Sequence, residues 1–281
     1  MKQEKKKKNF STIILIVILL VGLFLLLYPS LSDYWNSFHQ SRAIATYSEA
    51  VAQVDNEEYK KILAEATAYN QILSGSGNKW FMSEEETENY NSLLNVTGNG
   101  IMGYIEIPKI DCSLPVYHGT EDSVLQIAIG HVAGTALPVG GAGTHCVLSG
   151  HRGLPSAKLF TELDEMEVGD LFMLRVLDEV FTYSVDRILI VEPNDVSALE
   201  IEQGQDLCTL VTCTPYGINT HRLLVQGHRV ENVKETPVLR VTADATRIEP
   251  LIVAPVVAIP ILLVLLVFLL LDTRKKKSKK Q

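Results

Sequence analysis

Cys213, His151 and Arg222 have the types and the settings for nucleophilic chemistry. Cys213 ends an apolar, β-rich run over residues 207–213 and is followed by Thr214-Pro215, which puts its thiol at a strand tip, where a side chain can reach a cleft. A thiol attacks as its thiolate, and a neighbouring imidazole is the usual helper. The chain has seven histidines, so the presence of one signals nothing. His151 is set apart by its surroundings, Ser149-Gly-His-Arg-Gly-Leu-Pro155, where glycines open space around the ring just after a strand. His131, His145, His221 and His228 read as structural or surface histidines. Arg222 opens the run after Cys213, with eight residues between them. If the two runs pair antiparallel, the guanidinium reaches the same cleft as the sulfur and offers donors to a developing oxyanion. No Asp or Asn stands out as an orienter of the imidazole, unlike the arrangement of papain-like proteases.

The elements that must position these residues are mostly short strands. Residues 104–108, 114–117, 145–149, 171–176, 180–190, 207–213 and 223–230 are β-type runs, most of them separated by Gly, Pro or Asp turns, as in a barrel or sandwich. Ahead of them the pattern is helical. Residues 32–54 carry Tyr34, Trp35, Phe38, Ile44 and Tyr47 roughly on one face. Asp55 with Glu58 forms a capping box, and Tyr59, Ile62, Leu63, Ala66, Tyr69 and Leu73 then repeat at threes and fours until Gly75 and Gly77 stop the helix. Residues 74–81 form a glycine-bearing loop ending in Trp80 and Phe81, and Ser83 with Glu86 opens a further short helix.

Charge and hydropathy place this domain at a membrane. Residues 1–29 hold five Lys and one acid, and residues 251–281 hold six bases and one acid, which leaves 14 bases and 31 acids between them, a charge of −17. An acidic body with basic tails is a poor nucleic-acid binder, because phosphate contacts need clustered Lys and Arg. Residues 10–28 and 251–271 are uncharged apolar runs, each long enough for a helix to cross about 30 Å of hydrocarbon. Both are flanked by Lys and Arg, so the positive-inside rule puts both termini in the cytoplasm and residues 30–250 outside. A cleaved signal peptide is the competing reading of the first run, but its apolar core is long and no small-x-small site follows it. The expected organisation is a cytoplasmic tail (1–9), a transmembrane helix (10–28), a helical spacer with a lid region (30–95), a β-domain (96–232), a linker (233–250), a second transmembrane helix (251–271) and a second tail (272–281).

Four cysteines in an exported domain suggest two disulfides, but the spacing also allows free thiols. Cys208 lies five residues before Cys213, and an odd separation puts their side chains on opposite faces of one strand. Cys208 and Cys146 read as small buried hydrophobes, while Cys112 takes no assignment. Cys-x-x-Cys spacing is absent and the acids form no regular ligand loop, so neither zinc nor calcium is implied, nor any other cofactor.

The segment Thr209-Leu-Val-Thr-Cys-Thr-Pro … Arg222 resembles the Thr-Leu-x-Thr-Cys … Arg signature of the sortases. Ser149-Gly-His-Arg-Gly-Leu-Pro-Ser-Ala-Lys-Leu-Phe160 is similar to the catalytic-His segment of their class C, pilus-building branch, and Gly98-Asn-Gly-Ile-Met-Gly-Tyr-Ile-Glu-Ile-Pro108 to its entry strand. The two-span layout is also similar to class C. This resemblance implies a mainly β fold: an eight-stranded sortase barrel with N-terminal helices and a transmembrane helix at each end. It implies Cys213 as nucleophile, His151 as general acid and base, and Arg222 as the oxyanion or substrate-positioning residue. The implied reaction cleaves a Leu-Pro-x-Thr-Gly sorting signal between Thr and Gly through a thioester and transfers the acyl group to a Lys amine of a pilin subunit. Class C members also carry a lid with an Asp-Pro-aromatic motif. Asn78-Lys79-Trp80 stands at the matching place, so the resemblance implies a lid held less firmly, with an amide in place of the acid that would reach the active-site Arg. Three alternatives stand beside this reading: a sortase that anchors single surface proteins to cell-wall precursor, a cysteine protease in which water resolves the thioester, and an idle barrel used for binding.

Overall fold

Alternation of apolar and polar side chains along short segments is what allows one face of a sheet to close around a core. In the computed structural model, which describes residues 10–232, eight strands close around a core: β1 (Ile101–Ile107), β2 (Cys112–His118), β3 (Ile129–His131), β4 (Thr144–Ser149), β5 (Leu171–Val176), β6 (Glu179–Val191), β7 (Asp206–Thr214) and β8 (His221–Arg229). They form a closed barrel in the order β1-β2-β3-β4-β7-β8-β6-β5. The pairs β2–β3 and β4–β7 are parallel, and all other neighbours are antiparallel. Ile105, Leu148, Phe172, Tyr183, Leu210 and Val225 point into the core. Gly227 lets β8 pass the wall, because a Cβ there would lie 2.9 Å from both the Phe172 ring and the Ser184 carbonyl oxygen.

β3 has no counterpart among the runs expected from the sequence. It is three residues long with Gly130 at its centre, too short for alternation to register. Gly130 runs so close to Gly119 that a Cβ would stand 2.2 Å from its carbonyl oxygen.

Helices α1 (Phe10–Val51), α2 (Asn56–Ser76) and α3 (Glu84–Ser92) precede the barrel, and a single turn, α4 (Asp122–Leu125), follows β2. The apolar run and the first spacer helix are one helix, because α1 continues through Pro29. The described residues fall in two units that meet in sequence between Tyr34 and Trp35. Asp55 caps α2 by accepting from the Glu57 and Glu58 N–H groups, and α2 runs through Gly75 to end at Gly77, whose φ of 82° suits glycine. The expected Ser83–Glu86 capping box is present in both directions.

Buried polar side chains fasten these helices to the barrel. Tyr47 Oη donates to the Met102 carbonyl at 2.9 Å and accepts from the Leu177 N–H at 2.8 Å. Asn70 donates to the Leu137 and Gly140 carbonyls and accepts from the Leu137 N–H. Tyr90 Oη lies 2.8 Å from His131 Nδ1 and accepts from the Gly119 N–H at 3.1 Å. Each bond satisfies groups that would otherwise be buried unpaired, at a cost of about 1–3 kcal/mol apiece. The expected linker, the second apolar run and both basic tails lie outside the described residues.

Candidate active site

β4 and β7 run side by side in parallel, with Ser149 opposite Val211. The pairing continues past the end of β4, where the Gly150 N–H donates to Val211 O at 3.0 Å and Thr212 Oγ1 donates to Gly150 O at 2.8 Å. His151 and Cys213 therefore come next along two adjacent strand ends. Gly150 has no room for a side chain, since a Cβ there would stand 2.5 Å from Ile129 and 2.7 Å from Phe160. On the other side of β7 the antiparallel partner is β8, and Cys213 lies directly opposite Arg222. The strand pairing assumed from the sequence is the pairing observed.

Strand periodicity settles which way these residues face. Cys208 and Leu210 of β7, Cys146 and Leu148 of β4, and Leu223 and Val225 of β8 belong to the barrel core. Val211, Val147 and Leu224 pack instead in a second, smaller cluster on the opposite face. Cys213 shares the face of Val211, and Arg222 that of Leu224, so the candidate thiol and guanidinium stand on the outer face of one β7–β8 ladder. Cys208 and Cys213 do face opposite ways. All four thiols are free. Cys146 and Cys208 are register partners at the centre of the β4–β7 pair, and burial pushes the Cys208 thiol well above its ordinary value. Cys112 opens β2 and packs against the core, and burial pushes its thiol up to about 12. His131 and His145 are buried and hydrogen-bonded, as structural histidines are.

Residues 78–80 lie against this outer face. Trp80 packs on the cluster of Val147, Leu199 and Leu224 rather than on the front helices, and its indole N–H donates to Glu200 at 3.2 Å. The Lys79 N–H donates to Gly134 O at 2.8 Å, and Lys79 Nζ lies 2.6 Å from Glu86, whose carboxyl is held below its ordinary value by that bond. The amide expected to reach the active-site Arg goes elsewhere. Asn78 donates to Leu199 O at 2.8 Å, while Arg222 Nη1 donates to the Asn219 and His221 carbonyls. The physical reason is local: the 3₁₀ turn at Ser197–Leu199 presents its last carbonyl to the Asn78 amide N–H, and the Arg222 guanidinium is taken up by the carbonyls of Asn219 and His221 at the start of its own strand. Phe81, next to Trp80, is almost fully exposed.

Two further residues border the site. Arg152 follows His151, and Glu200 holds Trp80. Adjacency to His151 is the only sequence signal for Arg152, and Glu200 sits in a loop without a motif. Among the described residues no group of three or more His, Cys, Asp and Glu side chains is arranged to hold a metal ion.

A family model described as the sortase domain matches residues 105–230. The structure of sortase C1 from Streptococcus agalactiae is 53% identical and superposes with a TM-score of 0.68, over 68% of this chain and 100% of that one. The chain belongs to the sortase family. Sortase D of Bacillus subtilis is 31% identical to this sortase over 163 residues, 57% of this chain and 77% of the relative. Sortase C from Streptococcus pneumoniae is 43% identical with a TM-score of 0.60, over 68% of this sortase and 97% of that chain. The S. agalactiae and S. pneumoniae neighbours are class C enzymes, and this sortase is a cysteine transpeptidase whose barrel is the one the resemblance implies.

Proposed function

We propose that this sortase is membrane-anchored and polymerises pilin subunits. In this reading Cys213 attacks the Thr carbonyl of a Leu-Pro-x-Thr-Gly sorting signal. The carbonyl oxygen takes up negative charge, for which Arg222 is the donor at hand. The Thr–Gly C–N bond breaks as the His151 imidazolium gives its proton to the departing Gly amine. A neutral Lys amine of the next subunit then attacks the thioester, its proton passes to the now neutral His151 ring, the C–S bond breaks, and the thiolate and imidazolium return together. Splitting one acyl transfer into two steps is what a thiol nucleophile supplies.

The observation that carries this reading is the register of three adjacent strands, with Cys213 opposite Arg222 and His151 at the neighbouring strand end. Support for the pilin substrate comes from the relatives: the S. pneumoniae sortase C is described in terms of pilin substrate specificity, and another, 39% identical and covering 70% of this chain, as sortase C1 of a pilus island. The helix α1 is long and apolar enough to cross a bilayer, which supports residues 10–28 as the anchor, and the basic run Lys5 to Lys8 before it favours a wall-side catalytic domain by the positive-inside rule. Residues 78–80 would be the lid, lifted when substrate enters.

The test uses the full chain in detergent with a Leu-Pro-x-Thr-Gly peptide and, as acceptors, a Lys-bearing pilin domain or a cell-wall-type amine. A thioester on Cys213, seen by mass spectrometry and resolved by the pilin Lys, is the expected result. Resolution by the wall-type amine alone would replace polymerisation by surface-protein anchoring, and by water alone would indicate a protease.

A further inference from the structure

Arg152 is a charged side chain driven into the protein where nothing in the two-step chemistry calls for it. Its side chain is only 9% exposed. Burying a guanidinium costs several kcal/mol unless its surroundings compensate, so each of its contacts is informative. One terminal nitrogen forms an ion pair with Asp164, on the loop between β4 and β5. The other makes a long contact, 3.5 Å, to Thr214 Oγ1, at the end of β7. The guanidinium carbon lies 5.8 Å from the ring centroid of Tyr216, in the loop between β7 and β8. Its Nε is buried and has no partner, so the group is held by its outer nitrogens and its face.

These contacts join particular pieces of chain. Arg152 directly follows His151, and Thr214 directly follows Cys213. The backbone on the histidine side is closed by the Phe160 N–H donating to His151 O at 3.1 Å and by the Gly153 N–H donating to Thr161 Oγ1 at 3.1 Å. Tyr216 lies close against Gly153, where a Cβ would be 3.0 Å from its ring. Past the last ladder bond, β4 and β7 have no backbone pairing to fix how far apart His151 and Cys213 stand. The Arg152 guanidinium bridges that gap.

We propose that Arg152 is a positioning residue for transpeptidation, tying the strand end that bears Cys213 to the strand end that bears His151. This rests on Cys213 and His151 being the reacting pair. Proton transfer between a thiol and an imidazole tolerates little misplacement, and about 1 Å can cost about 100-fold in rate. Lys keeps the charge but lacks the planar fork that touches Asp164, Thr214 and Tyr216 at once. Met keeps much of the stem and none of the donors.

The test compares Arg152→Met, Arg152→Lys and Asp164→Asn with the unaltered full chain in detergent. The readouts are the first-order rate of Cys213 thioester formation, the KM for the sorting peptide and the fraction of folded protein. Arg152→Met is expected to slow thioester formation about 10- to 100-fold per folded molecule with KM within about threefold. Arg152→Lys is expected to recover part of that loss, and Asp164→Asn to slow the step several-fold. Rates per folded molecule within about threefold of the unaltered chain in all three variants would overturn the proposal, as would a loss carried by KM alone. If Arg152→Met does not fold, Arg152→Lys and the half-exposed Asp164→Asn decide the matter by the same criteria. Cys213→Ala and His151→Ala are run alongside. Activity surviving in either removes the reading beneath the proposal, an outcome distinct from silent Arg152 variants.

Discussion

The two ends of the site are built differently. The strand that bears Cys213 is held by ladders on both sides, parallel to β4 as far as Val211 and antiparallel to β8 through Thr214, over a packed core. The strap of residues 78–80 that lies over the same face has one backbone bond to Gly134 and side-chain bonds to Leu199, Glu86 and Glu200. Ladders that share a core open together and at the cost of global unfolding, whereas a few bonds at the surface open locally and often. In the proposed function Cys213 needs the first kind of support as nucleophile, and residues 78–80 need the second as a lid.

The largest expected effect sharpens the comparison within β7 itself. Cys213→Ala is expected to abolish thioester formation, with a loss of about 1,000-fold or more. Cys208→Ala, five residues earlier on the opposite face, is expected to leave the rate per folded molecule unchanged and to lower stability by about 1–2 kcal/mol through the cavity it leaves. Chemical denaturation and single-turnover assays on the two variants would separate these outcomes. A slow Cys208→Ala enzyme would mean that the core and outer faces of β7 are not independent.

The next effect concerns the strap. A Cβ on Gly134 would stand 1.9 Å from the Lys79 carbonyl oxygen, a contact that only a backbone shift can relieve. Gly134→Ala is therefore expected to displace the strap, at some cost in strain because the φ at 134 is 81°. Labelling of Cys213 by a thiol reagent should rise about 10-fold, which corresponds to about 1.4 kcal/mol of closure lost. Trp80→Ala should act in the same direction, and Glu200→Gln, which weakens a single exposed bond, by about twofold to threefold. Unchanged labelling in Gly134→Ala and Trp80→Ala would show that residues 78–80 do not cover the thiol.

How much of this was readable from the sequence follows the same division. The strand runs, the strand-tip setting of Cys213 and its opposition to Arg222 follow from period-two alternation and turn residues, which are local signals. The family resemblance supplied the closed barrel, since closure depends on the non-local pairing of β1 with β5. The contacts of Asn78 and Arg152 were not readable. Both depend on which carbonyl or carboxylate a distant loop presents, and Asn78 to Leu199 spans 121 positions of sequence. β3 is too short to show a period, and the continuity of α1 through Pro29 runs against proline's local preference.

The smallest expected effect tests whether the strap and the ladders open independently. His145 is fully buried on β4, its Nδ1–H donating to Glu200 O at 2.9 Å and its Nε2 accepting from Thr209 Oγ1 at 2.8 Å. The neutral ring satisfies both bonds, and burial holds its pKa below the ordinary value. The unfolded chain then binds a proton more readily than the folded one, so this contribution to stability is complete above about pH 6.5 and is lost as pH falls below it. Burial shifts His118 in the same direction. The melting temperature is expected to fall by a few degrees between pH 7 and pH 5, since each kcal/mol is worth about 2–4 °C in a domain of this size. His145→Gln should lower it at pH 7 and flatten its slope, leaving the part due to His118. Protonation takes away the acceptor for Thr209 Oγ1 between β4 and β7 and leaves the Nδ1–H bond to Glu200 O in place, so Cys213 labelling, relative to a free-thiol reference at each pH, should hold steady while the melting temperature falls. Labelling and melting that shift together would place the strap in the same cooperative unit as the barrel.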